Sequence, residues 1–211
     1  MEVWNEVLTG LVLVAGGYWV IRTIWQWRLF RRSVYIEIYS GYIEYAFRKK
    51  SIPRLSESFY LKNEFGKHRI FYQIAQEKGA DRPQAYILLL LNTGIYILNI
   101  KNQIGEVVLK KHGGREGKSP VEECRIFENR LRQRLGNTGV TMKPVVVFPQ
   151  KANLSWEGSS DPDIPVIRRK ELIRTVRELS ENAEAVLADS QIDELYHQLA
   201  DESIELERSR G

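Results

Sequence analysis

The feature that most constrains this chain is the run Ala85–Leu91, AYILLLL, in which no position is polar enough to face water. A strand of that kind is buried on both faces, so the domain must place a layer on each side of it. Asn92-Thr93-Gly94 reads as a turn, followed by the strand-like Ile95–Lys101 (IYILNIK) and Gly105–Lys111 (GEVVLKK). Three consecutive strands with short connections predict an antiparallel meander.

Helical signals flank the meander. A helix is expected from Ser56-Glu57 to about Glu77, with Phe59, Tyr60, Phe65, Ile70 and Ile74 as its apolar stripe. Lys78–Pro83 would end it. Ser119-Pro120-Val121-Glu122 supplies a capping serine, a first-turn proline and a capping-box glutamate. Val121, Cys124, Phe127, Leu131 and Leu135 then recur at helical spacing up to Gly136, which puts Cys124 in the core. Pro144–Pro149 (PVVVFP) reads as a buried strand and Pro165-Val166-Ile167 as a short edge strand. Helices are expected at about Arg169–Leu179, Glu184–Ala188 and Ser190–Glu207. The order helix, meander, helix, strand, helices is an α+β or α/β pattern.

The N-terminus has a different character. Val7–Ile21 carries no charge, and the apolar stretch continues past Arg22 to Trp27. Val3–Ile24 would span a bilayer if Arg22 reached the interface, and four of the five tryptophans lie in the first 27 residues. One uncleaved transmembrane helix over residues 3–27 is therefore expected. Arg22, Arg28, Arg31 and Arg32 follow the run and only Glu2 and Glu6 precede it. The positive-inside rule then leaves the N-terminus outside and the remaining chain in the cytoplasm. The expected organisation is an anchor at 1–27, a basic, tyrosine-rich juxtamembrane segment at 28–55, and a domain at 56–211. Gly16-Gly17 would admit close helix contact, but no Gly-X-X-X-Gly pair marks a homo-oligomer.

Composition removes several chemistries. The chain has 211 residues, one cysteine and three histidines, so disulfide frameworks and multi-cysteine zinc sites are excluded. His68, His112 and His197 form no local metal motif. Nothing sets any of them beside Cys124 or a particular serine, as nucleophilic hydrolysis would need. The net charge of +4 divides into −2 over residues 1–21, +7 over 22–79, +6 over 101–151 and −7 over 152–211, with Asp81 and Arg82 cancelling. A basic middle admits phosphate, anionic lipid or an acidic partner. The loop KKHGGREGK at 110–118 lacks the Gly-Lys-Ser/Thr ending of a nucleotide-binding loop.

The block GIYILNIKNQIG at 94–105 resembles the nuclease-related domain, or NERD, family. The resemblance continues through SPVEECRIFENRLRQRL, KPVVVFPQKANL and QIDELYHQLAD, covering about residues 57–200. It implies a central mixed β-sheet flanked by helices, of the PD-(D/E)XK restriction-endonuclease type. It also points to a bacterial chain, since many members are bacterial and some carry an N-terminal membrane segment. In that superfamily an Asp and the Glu of a Glu-X-Lys strand hold Mg²⁺, and the Lys positions or deprotonates the attacking water. By this resemblance the Glu-X-Lys position falls on Asn99-Ile100-Lys101 and the Asp position on Tyr86. Asn63–Lys67 only loosely echoes the early Gly-X-X-Gly-Glu motif, with Glu64 as its carboxylate.

Two neutral replacements remove the charge that offsets dehydration of the cation. The expected function is a membrane-anchored pseudo-nuclease acting as a protein-interaction or scaffold module, with no cofactor. Two other classes compete with it. A nonspecific nucleic-acid binder would use Lys101, Lys110, Lys111, Arg115 and Lys118 together with Arg125, Arg130, Arg132 and Arg134. An active nuclease would need Mg²⁺ or Mn²⁺ on relocated ligands, for which Glu64 and Glu106 are the available carboxylates.

Overall fold

The computed structural model describes residues 2–50, 59–75, 84–110, 118–136, 138–158 and 163–208. The boundary at Ser51–Pro53, the start of the first predicted helix, the turn at 78–83 and most of the glycine-rich loop, including Lys111, His112 and Arg115, lie outside these residues. So do the side chains of Asp201, Glu202, Glu205 and Glu207.

A five-stranded mixed sheet forms the centre, in the order β1-β2-β3-β5-β7. β1 (Arg69–Ala75), β2 (Gln84–Leu91) and β3 (Gly94–Ile100) make the antiparallel half. β5 (Met142–Phe148) and β7 (Val166–Arg168) add in parallel beyond β3. The meander is therefore real but displaced by one strand. β4 (Gly105–Lys110), predicted as its third member, leaves the sheet and pairs in parallel with β6 (Ala152–Glu157). The departure begins at Gly105, whose φ of +82° is one that other residues rarely adopt.

The predicted helix over 56–77 is likewise corrected. α3 covers only Phe59–Phe65, Gly66 follows at φ +65°, and Arg69–Ala75 is a strand. The spacing of Phe65, Ile70 and Ile74 fits a helix locally. Pairing of all seven residues of β1 with β2 satisfies the backbone groups that the two strands turn towards each other and overrides that preference.

Alternation along the strands sorts the core into two layers. Tyr86, Leu88, Leu90, Ile95, Ile97 and Val146 face α4 (Pro120–Leu135), α6 (Asp189–Arg208) and the small β4-β6 sheet. Ile87, Leu89, Leu91, Tyr96, Leu98 and Val147 face Leu61 of α3 and Leu172 and Val176 of α5 (Leu172–Glu181). This second layer also takes in Phe30, Val34, Ile38 and Tyr39. The tyrosine-rich segment thus turns inward as a 3-10 turn at Val34–Glu37 and helix α2 (Tyr42–Lys50), where Tyr35, Tyr39, Tyr42 and Tyr45 pack against one another.

The helix predicted at Glu184–Ala188 does not form. That segment is irregular, and the Val186 and Leu187 amides both donate to Asn92 O at 2.9 Å, tying it to the β2–β3 turn. Gln191 Oε1 accepts from the Ala188 amide at 2.8 Å, so the start of α6 is capped from within its first turn.

α1 (Glu2–Arg32) is one continuous helix of 31 residues. Leu11, Val12, Leu13, Val14, Trp19, Ile21 and Trp25 are exposed on every side of it. Among the described residues no helix is long and apolar enough to cross a membrane. The predicted transmembrane span is therefore not confirmed; Arg22 and Gln26 interrupt the apolar stretch of α1.

Candidate functional site

β2 and β3 run antiparallel with Tyr86 directly opposite Asn99. The two positions that the family resemblance assigns to metal ligands are thus cross-strand neighbours, with side chains on the α4 face. Lys101 follows on the same face, and its backbone amide holds Val147 O at 2.9 Å.

α4 closes over them. Ser119 Oγ accepts from the Glu122 amide at 3.1 Å, and Pro120 occupies the first turn, so the helix starts where the sequence predicts. Pro120, Glu123 and Phe127 recur at spacings of three and four and present one side of α4 to the sheet. The Phe127 ring stacks on Tyr86 with centroids 3.9 Å apart and planes within 6°. The Tyr86 hydroxyl donates to Glu123 O at 3.4 Å. Asn99 is completely buried, and its Nδ2 donates to Pro120 O at 3.3 Å. Among the described residues its Oδ1 has no hydrogen-bond partner. Lys101 Nζ is paired with Glu123 Oε2, the two side chains being 15% and 14% exposed.

These residues do not fit a divalent cation. Mg²⁺ needs oxygen donors that carry enough charge to replace its hydration shell. Tyr86 brings a phenol lodged under Phe127, and a carboxylate at position 99 would point an oxygen at the Pro120 carbonyl that the Asn99 amide now satisfies. The carboxylate beside them, Glu123, is held by Lys101. Among the described residues no group of three His, Cys, Asp or Glu side chains could hold a metal. Sequence reasoning missed Glu123. The signal for it was its place on the Pro120–Phe127 stripe.

The remaining candidates lie elsewhere. Glu64 pairs with Arg177 of α5, on the opposite layer from Tyr86 and Asn99. Glu106 is exposed on β4 opposite Asn153. Lys110 pairs with Glu157 at 2.8 Å, Arg125 with Asp163 at 3.5 Å and Arg132 with Glu128 at 2.7 Å. Lys118, Arg130 and Arg134 are exposed.

Cys124 is fully buried behind this site, in agreement with its place in the helical stripe. Burial, with Glu128 adding a smaller effect, pushes its thiol from the ordinary 9.0 up to about 12. The native protein is therefore expected to resist alkylation by iodoacetamide at pH 8 and to label readily in urea, as mass spectrometry would show. Because the folded value lies above the unfolded one, this group does not affect stability below about pH 9. Stability should then fall as pH rises from 9 towards 12, because only the unfolded thiol ionises in that range.

Comparison with known families bears on this arrangement directly. Residues 54–149 match the nuclease-related domain, NERD. The matched NERD interval contains α3, β1 to β5 and α4, and so the whole Tyr86–Asn99–Lys101 site, but neither α1 nor the helices α5 and α6. The likeness drawn from sequence to about residue 200 is thus supported as far as residue 149. No curated protein and no solved structure matches the chain.

Proposed function

We propose that this chain is a membrane-tethered NERD module whose nuclease centre has become a packing joint between sheet and helix. The fold then serves protein interaction or scaffolding on the cytoplasmic side. The observation that carries this reading is the pair Tyr86–Asn99. The strand geometry brings the two ligand positions together, but one side chain is stacked under Phe127 and the other hydrogen-bonded to Pro120. Lys101 is left with Glu123 as its partner, in place of a metal-bound water.

Tethering rests on α1. An exposed helix that is apolar around its circumference has no favourable place in water. Trp19, Trp25 and Trp27 suit the headgroup region, and Arg22 can extend its charge there. The Lys101–Glu123 pair does not favour the nucleic-acid reading at the centre, since a phosphate there would have to displace a carboxylate from a largely buried pair.

The test is to incubate the full chain with single- and double-stranded DNA and RNA in Mg²⁺, Mn²⁺ or EDTA. No divalent-dependent cleavage is expected. Cleavage that appears with metal and disappears in Lys101→Ala would overturn the reading. Salt-sensitive binding without cleavage would move it to a tethered nucleic-acid module.

A further inference from the structure

The junction between α1 and the domain brings together basic residues that are remote in sequence. Arg169, in the 3-10 turn at Arg169–Glu171, reaches back 138 positions and donates from Nη1 to Arg31 O at 2.9 Å. The same nitrogen lies 3.5 Å from Ser33 O, and Arg169 Nε is 3.1 Å from Glu37. Its side chain is 16% exposed, so Arg169 acts as a clasp and not as a surface charge.

The clasp fixes the position of its neighbours. Arg168 and Lys170 flank it, are exposed, and are carried to the end of α1. There Arg28, Arg31 and Arg32 share one helical face by their spacing of three and four, and all three are exposed. The Lys170 amide donates to Gln150 Oε1 at 3.3 Å, which brings the exposed Lys151 alongside. Among the described residues Glu37 is held here by Arg169, whereas the 3.5 Å pair of Glu171 with Arg168 is half-exposed and weak enough in water to leave Arg168 open to a phosphate.

We propose that Arg28, Arg31, Arg32, Lys151, Arg168 and Lys170 form a basic collar that binds the phosphates of anionic lipid headgroups. The collar draws the sheet domain down onto the membrane surface. Two observations select lipid as the occupant. The charge is complementary to an anionic leaflet, and the collar is continuous with the exposed apolar surface of α1. The proposal rests on the membrane reading given above.

The test measures partitioning of the full chain onto phosphatidylcholine vesicles with and without phosphatidylglycerol, for wild type and Arg168→Gln/Lys170→Gln. A basic residue at an anionic surface contributes about fivefold in partitioning, so the double variant should lose about twenty-fivefold on the phosphatidylglycerol vesicles. Partitioning onto phosphatidylcholine alone should be the same for both proteins. Arg28→Gln/Arg32→Gln provides an independent second reading with the same expectation. Equal partitioning of wild type and both variants on anionic vesicles would overturn the collar and leave the membrane reading intact. Wild type that floats with neither vesicle would overturn the membrane reading itself. Loss of duplex DNA binding in the variants, with vesicle partitioning unchanged, would assign the collar to nucleic acid and overturn its lipid role.

Discussion

Gly94→Ala is expected to destabilise the fold by about 3 kcal/mol, with a fall in Tm of roughly 10 °C in thermal unfolding followed by circular dichroism. Two effects add. Gly94 sits at φ +130°, which an L side chain rarely adopts, and a Cβ there would run into the Thr141 carbonyl oxygen. That oxygen cannot move aside cheaply, because it accepts from the Ile95 amide at 2.9 Å and begins the β3–β5 pairing. Gly105→Ala separates the two effects. Its φ of +82° is also strained, but nothing lies within 4 Å of an added Cβ. It should cost only about 1 kcal/mol, the strain alone. Equal losses at the two positions would show that backbone strain alone, without the steric clash, makes Gly94 necessary.

Removing one member of the Lys101–Glu123 pair should cost about 3 kcal/mol, as measured by urea unfolding of Lys101→Ala and Glu123→Ala. The figure is at the low end for a buried pair because water still reaches both side chains, 15% and 14% of which are exposed. Each single variant strands a charge between α4 and the sheet. Replacing both, as in Lys101→Met/Glu123→Leu, removes the stranded charge and should return stability to within about 1 kcal/mol of wild type. The comparison addresses function as well as stability. If Lys101→Ala left stability unchanged, Glu123 would not be holding the ammonium, and Lys101 would be available to a phosphate. A non-additive cycle instead supports the centre as a joint that fastens α4 to β3.

Much of the frame was legible locally. The apolar run of β2, the Asn92–Gly94 turn and the run of β3 predicted the hairpin, because a doubly buried strand pattern has few other uses. Ser119, Pro120 and Gly136 marked both ends of α4, since capping is a local transaction of backbone groups. Cys124 in the core and β7 at the edge of the sheet followed from the same short-range patterns. The failures were equally local in origin. Ile70 and Ile74 satisfy helical spacing, and only the pairing of Arg69–Ala75 with β2 makes that segment a strand. β4 reads as the next strand of the meander, but its partner β6 comes from a distant part of the chain.

The candidate site divides along the same line. By itself the sequence determined that Tyr86 and Asn99, the positions that the family resemblance assigns to metal ligands, are not carboxylates, because residue type needs no fold to be read. Only the tertiary structure decided what took their place: Phe127 over Tyr86, Pro120 on Asn99 and Glu123 on Lys101. It likewise decided that Arg169 clasps the end of α1 and brings Arg168 and Lys170 beside Arg31. Local patterns record the conformational preferences and chemistry of each segment. Which segments meet is decided by burying both faces of the sheet at once, a property of the whole chain.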